Sequence, residues 1–330
     1  MKRNYYISKN GDLRRKDNSL SFEIENEGNK YIPVEDVDSI YAFGELNFNS
    51  KLMNFLGQNG IPTHFFNYYG FYTGSFYPKE QLNSGFLFVE QVGHYLDEEK
   101  RIYIAKEIIK AAAFNIYRNI RYYNERGKNL TTIMKKVNDL RMKFDNCKSI
   151  NEIMGIEGNI RKNYYEAFTI IINQEINFEK RVKNPPDNMI NSMLSFINMM
   201  VYTTVLSEIY HTQLSPLVSY LHQPGERRFS LSLDIAEIFK PLIADRLIFS
   251  MLNKRQVLKK DFSEELNHVY IKENTRKEIL REYDERLATT IKHRTLQKVV
   301  SYRYLIRLEL YKLVKHLTNE EKYEGFKIWW

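Results

Sequence analysis

The sequence predicts an α+β fold, in which a small N-terminal β-rich domain over residues 1–85 precedes a larger all-α domain over residues 86–330. Three observations lead there. Short runs of β-branched and aromatic residues, parted by Gly, Asn and Pro, fill the first 80 residues. From about residue 86, apolar residues recur at helical spacing and Gly and Pro become scarce. A chain of 330 residues is also longer than one small core organises and suits two domains.

Taken in order, Tyr5-Tyr6-Ile7-Ser8 reads as a strand ending at a hairpin signal, Asn10-Gly11-Asp12. Leu20-Ser21-Phe22-Glu23-Ile24-Glu25 alternates apolar and polar, the period of a half-buried strand. Asn26 to Gly28 turns the chain into Lys30-Tyr31-Ile32-Pro33-Val34, and Ser39-Ile40-Tyr41-Ala42-Phe43-Gly44 is a further strand. Residues 49–58 read as a helix with Leu52, Phe55 and Leu56 on one side, closed by Asn59-Gly60. Residues 61–67 and 71–77 read as strands around Tyr69-Gly70. Beyond them, helices are expected over 86–125, 129–145, 150–173, 188–210, 231–252, 273–284 and 286–316. Asn184-Pro185-Pro186-Asp187 must interrupt the helical run, because proline disfavours helix in the residue before it. Residues 213–229, with Pro216, Pro224 and Gly225, read as a loop between helices.

The formal net charge of +8 is unevenly spread: −2 over residues 1–90 and +10 over residues 91–330. The C-terminal part therefore suits a polyanion, the alternative being a solvated basic surface. The single cysteine, Cys147, excludes an internal disulfide and a multi-thiolate zinc site, and points to a reducing compartment such as the cytosol. Lys2-Arg3 has no apolar stretch behind it, so a secretory signal is not expected. Residues 193–206, interrupted by Asn198, Thr203 and Thr204, read as too short and polar to span a bilayer. A cytoplasmic protein with no membrane partner is the expectation. Neither G-x-x-x-x-G-K-[ST], G-x-G-x-x-G nor G-x-S-x-G occurs, which argues against an ATPase, a dinucleotide enzyme and a serine hydrolase. The run Phe65, Phe66, Tyr68, Tyr69, Phe71, Tyr72, Phe76 and Tyr77 either stacks bases or fills a core or subunit interface; its acidic surroundings favour the latter.

Acids and a histidine stand in contexts suited to chemistry. Glu157, in Gly155-Ile156-Glu157-Gly158, lies where backbone can approach a ligand, with Arg161 and Lys162 four and five residues on. Its plain alternative is an exposed acid near a helix start. His222 closes an apolar segment before Gln223-Pro224-Gly225, as a surface-loop histidine also would. Asp234 and Glu237, spaced i, i+3, share a face of an otherwise apolar helix, unless they simply cap it toward solvent. Together these residues form a mixed oxygen and nitrogen donor set suited to Mg²⁺ or Mn²⁺. Arg161, Lys162, Arg227 and Arg228 flank the acids, so metal-assisted phosphodiester chemistry on nucleic acid fits the pattern.

The sequence resembles the CRISPR-associated integrase family of spacer acquisition, Cas1, over nearly its whole length. The resemblance is carried by Ile61-Pro62-Thr63-His64-Phe65-Phe66 with Gly70 to Pro78, by Gly155-Ile156-Glu157-Gly158 with Tyr164-Tyr165, and by Asn184-Pro185-Pro186-Asp187 with Asn191 and Leu194-Ser195-Phe196. It continues through Leu214-Ser215-Pro216, Leu221-His222, Pro224-Gly225, Ser230 to Asp234, Glu237, Phe239-Lys240-Pro241 and Asp245-Arg246. It implies metal ligation by Glu157, His222 and Glu237, where many members have Asp at the last position, and an auxiliary role for Asp234. It further implies an endonuclease or integrase that inserts short foreign DNA into a CRISPR array by attack of a 3′-hydroxyl on a repeat phosphodiester. A DNase or branched-DNA resolving enzyme with the same site, and a non-catalytic basic DNA-binding scaffold, are the alternatives. The implied partners are double-stranded DNA (prespacer and repeat), a second copy of the chain joined through the N-terminal domain, and a Cas2 dimer.

Overall fold

A computed structural model describes all residues except 1, 25, 26, 80, 81, 83, 184, 226–228, 266, 267 and 330. The chain divides into two compact units, Met1–Leu82 and Asn83–Trp330. The first is β-rich and the second mainly helical, the α+β arrangement expected.

The first unit contains β1 (Arg3–Ile7), β2 (Gly11–Lys16), β3 (Ser19–Ile24), β4 (Gly28–Pro33), β5 (Val37–Ala42), β6 (Leu46–Asn47), α1 (Ser50–Gln58), β7 (Thr63–Phe66) and β8 (Tyr72–Phe76). They make two four-stranded sheets, ordered β1-β5-β7-β8 and β4-β3-β2-β6. In the first, β5 pairs parallel with β1 and β7, while β7 and β8 are antiparallel. In the second, β2, β3 and β4 form an antiparallel meander and β6 runs parallel to β2.

Asn10-Gly11-Asp12 is thus not a hairpin turn. The chain leaves one sheet there and enters the other, and Gly11 opens β2 where a Cβ would run into the Glu23 backbone of β3. Strand β2 escaped the sequence reading because Gly-Asp-Leu-Arg-Arg-Lys has one deeply buried side chain, Leu13, and no alternation. The expected turn at Asn26 falls partly outside the described residues.

Ile7, Leu13, Leu20, Phe22, Val37 and Ile40 of the sheets pack with Leu52, Phe55 and Leu56 of α1. Each such side chain contributes about 1.5–3 kcal/mol when fully buried. The Asn49 side chain accepts from Leu52 N at 3.0 Å and so caps α1. The aromatic run divides: Phe66 stacks on Phe43 with centroids 4.2 Å apart, whereas Tyr68, Tyr69 and Phe71 are exposed.

The second unit contains α2 (Gly85–Leu96), α3 (Glu98–Asn124), α4 (Thr131–Arg141), α5 (Ile150–Ile171), α6 (Met189–Tyr210), α7 (Ser230–Phe239), α8 (Arg246–Asn253), β9 (Phe262–Glu265), β10 (His268–Ile271), α9 (Glu273–Ala288), β11 (Thr290–Lys292), β12 (Val299–Ser301) and α10 (Tyr302–Leu317). Helix α3 packs against α4, α5 and α7, and its buried Ala111, Ala112 and Ala113 keep that surface small.

Several expected helices are corrected. Residues 86–125 are two helices, because Asp97 is extended and its carboxylate accepts from Lys100 N at 3.1 Å to cap α3. Residues 231–252 are broken by a π-helical turn, Pro241–Asp245. Residues 286–316 are not one helix, since β-branched Thr290, Ile291, Val299 and Val300 pair as the β11–β12 hairpin. With the β9–β10 hairpin, this puts two small antiparallel pairs in a unit expected to be all helix. The stretch read as too short to span a bilayer lies within α6, whose 22 residues are long and apolar enough to do so; 72% of its apolar window is buried inside the unit, as in a core helix.

His64 on β7 is completely buried, with Nδ1 2.7 Å from Ser75 Oγ and its ring against Tyr41. Burial pushes its pKa down to about 3. The folded chain therefore keeps this imidazole neutral, while the unfolded chain protonates it near the usual value of about 6.5. The stability this contributes is complete above that value and is lost as pH falls toward the folded pKa. Urea unfolding of the N-terminal unit at pH 7 and pH 5 should show the natural chain losing about 2 kcal/mol more than His64→Gln. Equal losses would refute this reading.

Candidate active and metal site

The site is built from α5, α7, the π-helical turn and the loop before α7. Glu157 lies on the third turn of α5, not at its start, and is partly exposed. Gly155 and Gly158 beside it face open space, since a Cβ on either meets nothing within 4 Å. Each glycine costs a helix interior about 1 kcal/mol relative to alanine, so internal packing does not explain them.

One turn along α5, Arg161 Nε reaches Glu157 Oε1 at 3.2 Å. Its Nη2 bonds Glu237 Oε2 on α7 at 2.6 Å, and its Nη1 lies 3.9 Å from Asp245 Oδ2. Lys240, one turn beyond Glu237, bonds Glu237 Oε1, and its ammonium lies 4.6 Å from the centre of the Tyr202 ring. Burial opposes ionisation of Glu237, but Lys240 and Arg161 outweigh it and hold its pKa well below the usual carboxylate range. The same pairing outweighs burial at both cations and raises their pKa values.

Asp234 has a different task. It is completely buried, and its Oδ2 accepts from Tyr220 N at 2.7 Å and Leu221 N at 2.9 Å. Its Oδ1 accepts from His222 N at 3.0 Å and lies 2.8 Å from His222 Nδ1. One carboxylate thus ends the loop and fixes the imidazole, leaving Nε2 as the ring nitrogen not committed to Asp234. Burial opposes the imidazolium, yet the Asp234 hydrogen bond, with the charges of Asp234 and Glu237, raises the His222 pKa above its ordinary value.

The loop is tied down elsewhere too. Gln91 of α2 donates to Ser215 O and Val218 O, both at 2.9 Å, and Arg101 of α3 donates to Tyr220 O at 2.9 Å. A cleft of 640 Å³, lined by Tyr95, Arg101, Ser149, Met154, Leu221 and His222 among others, opens beside the imidazole.

Pro241 has no N–H and cannot continue the α-helical ladder, so the chain bonds one residue further, Asp245 N to Lys240 O at 3.0 Å. Asn119 of α3 donates to Pro241 O at 2.7 Å and accepts from Arg246 at 2.7 Å. Asp245 is buried, and burial pushes its pKa up to about 6 despite Arg161 nearby.

Among the described residues, no three His, Cys, Asp or Glu side chains stand as a ready-made metal cluster. The donors nevertheless fit a divalent ion by their chemistry: two carboxylates from separate helices already converge on one cation. Of the flanking basic residues, Arg161 sits between the acids, Lys162 is exposed, and Arg227 and Arg228, with Glu226, lie outside the described residues. Cys147 is buried away from this group and bonds Lys143 O. Lys240 and Asp245 join the site only through the fold; in the sequence, the i, i+3 spacing of Lys240 from Glu237 is the signal for the first.

This arrangement defines a helical site of acidic side chains held by buried cations beside a carboxylate-oriented histidine. The profile of the family described as CRISPR associated protein Cas1 matches residues 5–285. The CRISPR-associated endonuclease Cas1 of Fusobacterium nucleatum is 57% identical over 330 residues, covering 100% of this chain and 98% of that protein. CRISPR-associated endonuclease Cas1 3 of Thermodesulfovibrio yellowstonii is 50% identical over 328 residues, covering 99% and 100%. The solved structure of a Cas1 protein from Thermotoga maritima superposes with a TM-score of 0.86 at 39% identity, covering 98% of this chain and 100% of that one. The chain belongs to the Cas1 family.

Asp234→Asn should destabilise the protein by at least about 2 kcal/mol, because an amide nitrogen would face buried N–H donors. Activity should fall roughly tenfold to hundredfold as the imidazole loses its orienting partner. Urea unfolding beside a DNA-cleavage assay checks both, and unchanged stability would remove the loop-anchoring role.

Proposed function

We propose that the protein is a divalent-metal-dependent DNA endonuclease and integrase that inserts short foreign DNA into a CRISPR array. The observation that supports this best is the meeting of Glu157 and Glu237 on Arg161, beside a histidine fixed by Asp234, in a member of the Cas1 family. Glu157, Glu237 and Nε2 of His222 are the residues that would hold Mg²⁺ or Mn²⁺. When bound, such an ion polarises the phosphoryl group and stabilises charge on the leaving oxygen.

The rest falls to the chain. Asp234 holds the imidazole by Nδ1 so that Nε2 is presented in one orientation. Lys240 and Arg161 keep Glu237 ionised despite its burial. In the reaction, a DNA 3′-oxygen loses its proton and bonds to a repeat phosphorus. The bond from that phosphorus to the repeat's own 3′-oxygen breaks, and that oxygen regains a proton. One phosphodiester replaces another, so no ATP is needed. The partners in this reading are prespacer and repeat DNA, a second copy of the chain and a Cas2 dimer. Exposed Tyr68, Tyr69 and Phe71 support placing subunit contacts on the N-terminal unit.

The deciding assay combines a short duplex with free 3′ ends, a repeat-bearing plasmid and purified Cas2, with and without Mn²⁺. Integration products should form only with the ion. Glu157→Ala, His222→Ala and the near-isosteric Glu237→Gln should each abolish them, with circular dichroism confirming that each variant is folded. Near-normal activity of any one variant at saturating Mn²⁺ removes that residue from the ligand set. Duplex binding should also be strongly salt-sensitive, given +10 over residues 91–330. If about six phosphates are neutralised, log K against log salt should have a slope of about −5, measured by fluorescence anisotropy. A slope near zero would remove the electrostatic account of DNA binding.

A further inference from the structure

Both oxygens of the Glu237 carboxylate are taken, Oε1 by Lys240 and Oε2 by Arg161, and Arg161 also holds Glu157. A dication that joins these two acids competes with the guanidinium between them, because like charges at such distances repel. One of the two cations must give way.

Where each can go decides which. Lys240 is ion-paired, among the described residues, with Glu237 alone, and it is held over the Tyr202 ring. Arg161 has a second acceptor close by. Asp245 Oδ2 is buried, accepts no hydrogen bond of normal geometry although the Tyr164 hydroxyl faces this carboxylate, and lies 3.9 Å from Arg161 Nη1. That is too long for a hydrogen bond but already within ion-pair range. A carboxylate oxygen left unsatisfied in a protein interior is costly, and buried polar atoms nearly always have partners. Asp245 also owes its position to the π-helical turn, which inserts one residue between the faces of α7 and α8.

We infer that Arg161 is the exchangeable counter-ion of this site: it clamps Glu157 to Glu237 while no divalent ion is bound, and turns onto Asp245 Oδ2 when those carboxylates take one up. Arg161 and Asp245 are then positioning residues. The inference rests on the reading of Glu157 and Glu237 as metal ligands.

The test is Mn²⁺ binding to the full-length chain without DNA, followed by the electron paramagnetic resonance signal of free Mn²⁺, with circular dichroism to confirm folding. Arg161→Gln should bind Mn²⁺ about tenfold tighter, because the competing cation is gone. Asp245→Asn should bind about tenfold weaker, because the displaced guanidinium loses its acceptor. In the double variant the Asp245→Asn effect should vanish, the coupling expected of residues that act as a pair. A weaker affinity in Arg161→Gln, or an Asp245→Asn effect that persists without Arg161, overturns the inference. Should Arg161→Gln not fold, crystals of the natural chain with and without Mn²⁺ decide. Arg161 on Asp245 in the loaded form supports the exchange, and Arg161 still on both glutamates overturns it. If the natural chain binds Mn²⁺ no better than Glu157→Ala/Glu237→Ala, the ligand assignment itself falls. If binding needs both glutamates but ignores Arg161 and Asp245, only the exchange falls.

Discussion

The helical unit is organised around the need to neutralise a buried carboxylate. Glu237 is almost wholly removed from solvent on a helix that, beside two serines and Asp234, is apolar. An unpaired charge there costs several kcal/mol, and attraction offsets this only with well-placed partners. Lys240 supplies one from the same helix. Arg161 supplies the other from α5, tying that helix to α7. Removing either cation would leave the buried acid with one partner instead of two, a larger loss than breaking a surface pair.

A second buried acid organises the neighbouring loop by a different means. Among the described residues, no lysine or arginine is ion-paired with Asp234; three backbone N–H groups and an imidazole satisfy it. Two acids one turn apart on α7 thereby divide their labour. Asp234 ties down the loop that carries His222, and Glu237 stays ionised between Arg161 and Lys240. The i, i+3 spacing sets both on one helix face, and their surroundings separate their roles. The π-helical turn completes the group. Pro241 forces the bonding pattern to lengthen, Asn119 takes up the freed carbonyl, and the shift in phase carries Asp245 toward Arg161.

Much of this was legible in the sequence because it depends on local pattern. The 3.6 period marked α5 and α6 to within a residue or two at most ends. Alternation marked β3, and Glu157, His222, Asp234 and Glu237 stood out as acids and an imidazole in apolar or glycine-flanked settings. The strands and breaks that were misread lack such a pattern. Strand β2 is almost entirely polar, and the 286–316 stretch keeps a helical count of apolar residues while Thr289 to Ser301 turns back on itself. The hairpin signal at Asn10-Gly11 failed because the glycine there answers to a backbone in another strand, not to a turn.

The sequence by itself determined the order of β-rich and helical parts, the family, and which side chains could carry chemistry, since residue type and spacing along one chain decide these. Only the tertiary structure decided what each acid does. Arg161 and Glu237 are 76 positions apart, and Asp234 meets His222 across a loop. Whether a carboxylate anchors backbone, pairs with a cation or waits beside one depends on the donors that folding brings to it. Those donors come from α5, the end of α7 and the loop before α7, brought together by burial of apolar area, a force that is blind to sequence separation.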